Sequence, residues 1–289
     1  MLPHFERFIQ ERKYLKNVSP RTIEWYEQSL AWLRVEQPTA EDLRDLVVRM
    51  REAGLKASSC NCYILAINGY LHWEAKGLDQ KCHPACSHLR VAKLKEEECV
   101  PATFTVKQVA AIIAWKPRRK VFYERRLHAL LLTLFDAGMR IDEALSLRVE
   151  DCNQDDLLFT VTGKGRKQRV IPFSLELRRV LTRFILEFCP DCRGFLFSTR
   201  DGRKLGRRNV LRAVKRLCVR LGFDPPRRTV HATRHTFSTE YLRRGGSLFH
   251  LQKMLGHTSL EMVRKYANLV TADLQAVHER VSLLSRVTK

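Results

Sequence analysis

The sequence has no long apolar run: its longest, residues 129–132 with their neighbours, falls far short of the roughly 20 residues that a membrane span needs. It also lacks a charged-then-apolar leader at its N-terminus, so the expected location is the cytoplasm, with no membrane partner. Acidic charge is scarce. Asp and Glu number 31 against 52 Lys and Arg, a net charge of +21, which leaves a polyanion as the natural partner, nucleic acid being the commonest for such a chain. A paired cysteine framework is missing too. The nine cysteines are odd in number and spread along the chain, as expected of reduced thiols. Two spacings invite zinc, Cys82-x-x-x-Cys86 beside His83 and His88, and Cys189-x-x-Cys192. Each lacks the second pair that a closed structural site requires, so idle thiols are expected, with no metal and no cofactor.

What charge there is lies mostly in the second part of the chain. Residues 1–98 hold 15 basic against 14 acidic side chains, and residues 99–289 hold 37 against 17. The first 95 residues carry capped, helically periodic segments without alternating strand patterns, and four helices are expected. Ser19 caps the second helix with Pro20 at its first position, Thr39 opens the third and Gly54 closes it. The fourth covers about residues 58–76, its stripe of Tyr63, Ile67, Tyr70 and Leu71 turned inward. Charge-mixed residues ahead of Pro101 read as a linker, bounded at 96–102.

The second domain, residues 103–270, reads as mainly helical with a small β-hairpin. Thr105 caps one helix and Gly138 ends another, about residues 123–137. Arg140 then stands on a turn between two apolar elements, where a cation needs a reason. An ion pair with Asp142 or Glu143 is the structural one, and an anionic ligand the functional one. Residues 157–173 form the hairpin, with Lys164 between two glycines and Arg166, Lys167 and Arg169 beside it, a basic finger that could enter a DNA groove or simply be solvated. A helix over 203–221 turns Val210, Val214, Leu217 and Leu221 inward and carries Arg208, Arg212, Arg216 and Arg220 at i, i+4 spacing. Such like charges repel, and a phosphate backbone would offset the repulsion.

The densest chemistry lies in residues 229–269. His231, Arg234 and His235 fall at i, i+3 and i+4 on one helical face. Gly245-Gly246 stops that helix, Ser247 can cap a second, and Gly256 ends it, which sets His257 at a sharp bend. Thr258 and Glu261 form a capping box for a third helix bearing Tyr266. Two histidines, an arginine and a tyrosine brought together suit phosphoryl transfer: Arg offers a planar fork of donors to phosphate, His moves protons near neutrality, and the phenol is the candidate nucleophile.

The string H-x-x-R-H, then L-G-H, then Tyr nine positions beyond His257, resembles the C-terminal signature of the tyrosine recombinase or phage-integrase family. Arg140 in GMRIDEALSL and Lys164 in TGKGRKQR complete, in order, that family's set of six. The resemblance implies a helical core-binding domain followed by a catalytic domain. It implies that Arg140, Arg234 and His257 hold the non-bridging oxygens of a scissile phosphate, that His231 serves in proton transfer, and that Lys164 protonates the leaving 5′ hydroxyl. Tyr266 would form a 3′-phosphotyrosine bond, with Glu143 and His235 in support. Implied partners are double-stranded DNA carrying specific recombination sites and further copies of the chain, a dimer on each site and a tetramer in the synapse. A type IB topoisomerase-like activity and a catalytically silent DNA-binding protein are the competing classes. Residues 271–289 are amphipathic, with Leu274, Val277, Val281 and Leu284 on one face, and are expected to dock on a neighbouring subunit.

Overall fold

The computed structural model describes residues 2–76, 89–96, 101–163, 168–188 and 194–256. The chain divides into two compact units, Met1–Cys99 and Val100–Lys289.

The first unit is helical. Helices α1 (Pro3–Tyr14), α2 (Pro20–Leu30), α3 (Ala40–Glu52) and α4 (Ala57–Lys76) start where local chemistry directs. The Ser19 hydroxyl accepts from the Thr22 amide at 3.3 Å, and Thr39 and Asp42 cap each other reciprocally. Phe8, Leu30, Leu46, Met50, Ile64, Ile67 and Tyr70 fill the core. The Tyr70 hydroxyl, carried inside by its ring, donates to the Glu36 carbonyl at 2.8 Å. Residues 91 and 94, ahead of the linker expected at 96–102, are anchored to this unit. Asn68 exchanges two hydrogen bonds with the backbone of Val91, both 2.9 Å, and Asn61 does the same with Leu94 at 2.8 and 2.9 Å. The two amides lie two helical turns apart and hold the chain against α4, so the segment through Leu94 belongs to this unit.

In the second unit α5 (Val106–Ala114) is capped by Thr105 and Gln108, and α6 (Phe122–Ala137) runs through the centre. Gly138 ends α6 in the left-handed region, at φ +60°, and a Cβ there would lie 2.1 Å from the Phe237 ring. Only glycine fits that turn, which sets the direction of Arg140 and the short α7 (Ile141–Ala144). Strands β1 (Cys152–Asn153), β2 (Leu158–Thr162) and β3 (Gln168–Pro172) form an antiparallel sheet in the order β1-β2-β3, with Phe159 opposite Ile171 and both buried. β1 was not foreseen, being too short to show a period.

Helix α8 (Leu175–Phe188) is a further element, with Leu177, Leu181 and Phe184 at helical spacing on its buried face. The Ser174 hydroxyl accepts from the Leu177 amide, while Asp136 on α6 accepts from the Ser174 amide at 2.8 Å. Helix α9 (Arg207–Arg220) begins four residues later than the pattern implied. The preceding residues turn back at Gly202 and bridge Ser198 to Lys204. Helices α10 (Thr229–Arg243) and α11 (Leu248–Leu255) complete the described part. Gly245 and Gly246 do stop α10, but the Ser247 hydroxyl makes no capping bond.

Among the described residues no helix is long and apolar enough to cross a membrane. Cys60, Cys152 and Cys218 are buried thiols, and burial pushes Cys152 up to about 12 and Cys218 up to about 11, which keeps both protonated and inert. The two cysteine pairs considered for zinc lie outside the described residues.

Candidate active site

Helix α10 supplies the floor of the site, and its buried face is built from small hydroxyl residues instead of aliphatic ones. Thr233 donates to the Val230 carbonyl at 2.9 Å, Thr236 to Ala232 at 2.8 Å and Ser238 to Arg234 at 2.8 Å, so these three buried hydroxyls are satisfied within their own helix. Thr236 also accepts from the Phe104 amide at 2.8 Å. These short side chains let α10 lie close against α6, and that brings Arg234 under the turn at Gly138.

Arg234 is buried at 5% exposure. Its two terminal nitrogens donate to the Gly138 carbonyl at 3.0 Å and to the Leu255 carbonyl at 2.7 Å. Arg140 reaches the same Leu255 oxygen at 3.4 Å from the other side of the Gly138 turn. The unpaired carbonyls at the end of α11 carry the negative end of the helix dipole, which is why two guanidiniums settle there without a carboxylate between them. Gly256 follows in the left-handed region, at φ +63°.

Glu143 accounts for the remaining charge. Its side chain is 8% exposed, and it accepts from the Arg140 amide at 2.8 Å, from Arg140 Nη1 at 2.9 Å, and from Arg169 Nη1 and Nη2 at 3.0 and 2.8 Å. Burial alone would raise its pKa, but the bonds from Arg169 and Arg140 outweigh burial and hold the carboxyl below its ordinary value. Of the two candidate partners for Arg140, Glu143 is therefore the actual one. Asp142 faces Arg207 instead, at 3.7 Å.

Arg169 corrects the reading of the hairpin. Expected beside a basic finger with its head toward a groove, it turns inward, its side chain 15% exposed, and also donates from Nε to the Met254 carbonyl at 2.9 Å. The alternation of β3 explains the inversion, since residues 169 and 171 face the same side of the strand and Ile171 is core. Lys164, Arg166 and Lys167 at the tip lie outside the described residues, as do His257 and Tyr266.

His231 is half-buried, and its Nε2 lies 3.0 Å from Arg207 Nη2, so this nitrogen is the acceptor. Burial first, then Arg207 and Arg228, hold His231 below its ordinary pKa, with Asp142 opposing. His235 is pushed down to about 4, by burial and then by His231, Arg234 and Arg228. Both rings are thus neutral at pH 7, and His231 is in the form that can take up a proton. Arg207 and Arg228 are site residues that sequence reasoning missed. Arg207 sits at the start of α9, and nothing in its own helix signals that it meets a histidine 24 positions away.

Four arginines and two acids, Glu143 and Asp142, gather at this point, with Arg228 adding to the positive field. The cationic surplus and the neutral imidazole suit an anionic tetrahedral group that must exchange a proton. Residues 103–272 match the model of the Phage integrase family. The chain belongs to that family. It is 30% identical over 293 residues to a tyrosine recombinase XerA of Pyrococcus horikoshii, covering 99% of this chain and 95% of that one. It is 28% identical over 304 residues to a tyrosine recombinase XerC of Pelobacter propionicus, covering 97% and 96%. Among solved structures, a Tn1549 transposon integrase in complex with transposon right end DNA superposes with a TM-score of 0.75 at 19% identity, over 97% of this chain and all of that one. A XerH site-specific recombinase bound to palindromic difH substrate gives 0.73 at 19% identity, over 97% and 84%. At these identities the two structures show a shared fold. As a tyrosine recombinase the chain is an enzyme of the class that cleaves and rejoins DNA strands. The full-length match to recombinases disfavours the topoisomerase-like alternative.

The arginines of α9 divide. A helix advances about 100° per residue, so each i+4 step rotates the side chain by about 40°, and three steps by about 120°. Arg208, Arg212 and Arg220 are all exposed, but Arg220 has rotated toward α6 and the residue that ends α5. There it pairs with Glu124 at 3.2 Å and lies 5.0 Å over the Trp115 ring. The stripe therefore does not present one flat row to a ligand, and the expected phosphate contact of Arg220 is already occupied within the protein. Arg216, exposed, donates to the Arg212 carbonyl at 3.4 Å.

Proposed function

We propose that this chain is a site-specific DNA recombinase that breaks and rejoins strands through a 3′-phosphotyrosine intermediate. The observation that carries the reading is the convergence of Arg140 and Arg234 on one carbonyl oxygen beside neutral His231. In this reading the Tyr266 phenol oxygen attacks the scissile phosphorus while His231 takes its proton. Arg140, Arg234 and His257 hold the non-bridging oxygens as charge builds on them. The bond to the 5′ oxygen breaks and Lys164 supplies that oxygen with a proton. Phosphodiester energy is kept in the tyrosyl bond, so the reverse reaction with a strand from a second duplex reseals the backbone and produces a Holliday junction. Glu143 and His235 are supports.

The partner is double-stranded DNA carrying recombination sites. The relatives are recombinases, and the solved neighbours include complexes with such DNA. Residues 103–270 act as the catalytic domain and residues 1–95 as a core-site clamp, with a dimer on each site and a tetramer in the synapse. Arg208, Arg212, Arg166 and Lys167 are assigned to the DNA backbone and groove. Tyr266→Phe tests the reading, because it removes only the attacking oxygen. The variant should bind duplex DNA as the unaltered protein does and form no covalent adduct on a denaturing gel, and adduct formation by it would refute the assignment.

A further inference from the structure

Arg169 joins three of the segments meeting at the site. It lies on β3, bonds both oxygens of Glu143 behind α7, and bonds the Met254 carbonyl at the end of α11. Gly256 packs on its other side, and a Cβ there would sit 3.1–3.2 Å from the Cδ, Nε and Cζ of Arg169. Strand, turn and helix end are thus registered against one rigid planar group.

The consequence falls on Arg140. Arg169 takes both carboxylate oxygens of Glu143, so Arg140 reaches that carboxylate through Nη1 alone, at 2.9 Å. Its Nε and Nη2 make no hydrogen bond among the described residues, and its side chain is 40% exposed. Without Arg169, the buried carboxylate would have one cation left, and a planar fork beside a free carboxylate closes on it bidentately. Arg140 would then turn its remaining donors inward.

We infer that Arg169 is a positioning residue for strand cleavage: by occupying Glu143 from behind, it keeps two donor nitrogens of Arg140 facing the place of the scissile phosphate. The inference rests on the recombinase reading. Lysine cannot replace it, because one nitrogen on a flexible stem cannot span both Glu143 oxygens and the Met254 carbonyl.

The test uses the full-length protein and a duplex recovered by selecting a random-sequence pool on it, with adduct formation followed under single turnover. Arg169→Lys keeps the charge, so DNA affinity should be unchanged, while cleavage should fall by about 10²-fold, the usual scale for a displaced catalytic group. The loss should be the same on a 5′-bridging phosphorothiolate, since the leaving group is not what has been disturbed. Combined with Arg140→Ala, it should add nothing to the loss from Arg140→Ala alone, because both remove the same contact. Losses that multiply in the double variant, or an Arg169→Lys protein that cleaves at the unaltered rate, would overturn the inference. Should Arg169→Lys fail to fold by circular dichroism, Arg169→Gln takes its place, with the same expected loss of cleavage, the same lack of additivity with Arg140→Ala and the same contrary result. Unaltered protein that forms no adduct removes the recombinase reading and this inference together, whereas unaltered protein that cleaves beside an unimpaired Arg169→Lys removes the inference alone.

Discussion

His235 is the imidazole most strongly shifted among the residues of the site, and its environment makes a prediction about acid stability. Its pKa falls from 6.5 in the unfolded chain to about 4 in the fold, through burial and the neighbouring His231, Arg234 and Arg228. Between those values the unfolded chain binds a proton that the folded one refuses, so protons favour unfolding there. Its contribution is complete above about pH 6.5 and is lost progressively as pH falls toward about 4. Urea midpoints of the full chain should drop over that window, and His235→Asn should flatten the slope; an identical slope in both proteins would contradict the assignment. At this scale the sequence was legible where roles are local. The i, i+3, i+4 face of His231, Arg234 and His235 follows from spacing alone, and spacing narrows the partner of Arg140 to Asp142 or Glu143. Arg169, Arg207 and the Leu255 carbonyl did not, because each acts across a long sequence separation where no periodicity reaches.

At the scale of elements, helix α9 shows how a sequence pattern can be right about type and wrong about direction. The i, i+4 arginines do occur on a helix, but the rotation of about 40° per step carries Arg220 from the outer face to Glu124 and Trp115. Two outcomes follow. Arg212→Ala should lower the slope of log affinity against log salt by about one unit, as expected for one lost phosphate contact. Arg220→Ala should leave that slope unchanged and lower the unfolding free energy, by no more than about 1–2 kcal/mol for an exposed pair stacked on an aromatic ring. Equal slopes in unaltered protein and Arg212→Ala, or a reduced slope in Arg220→Ala, would reverse the division. Caps and glycine stops made α2, α3, α5 and α6 legible to within a residue or two. Helix α10 was found by its chemistry and not by its amphipathicity, since Thr233, Thr236 and Ser238 look polar while being buried. Helix α8 is legible in the helical spacing of Leu177, Leu181 and Phe184, its buried face.

On the scale of the whole molecule, charge and chemistry coincide. The surplus of basic side chains falls after residue 98, in the unit that carries the arginine cluster. We propose that residues 271–289 dock on a neighbouring subunit and so couple cleavage to assembly. Deleting them should leave binding to a single site intact while abolishing the complex of two sites on native gels, and a truncated protein that still pairs two sites would exclude the exchange. The central claim, that Arg140, Arg234 and their neighbours serve a tyrosine nucleophile on a phosphodiester, is tested most directly by the chemistry of the covalent product. Protein trapped on its selected duplex would be digested with protease and the DNA-linked peptide sequenced by mass spectrometry, with the freed end assayed for labelling by polynucleotide kinase. The account predicts a peptide joined through Tyr266 to a 3′ phosphate, with a 5′ hydroxyl on the other fragment that accepts label directly. A link through another residue, or one to the 5′ phosphate, would contradict it.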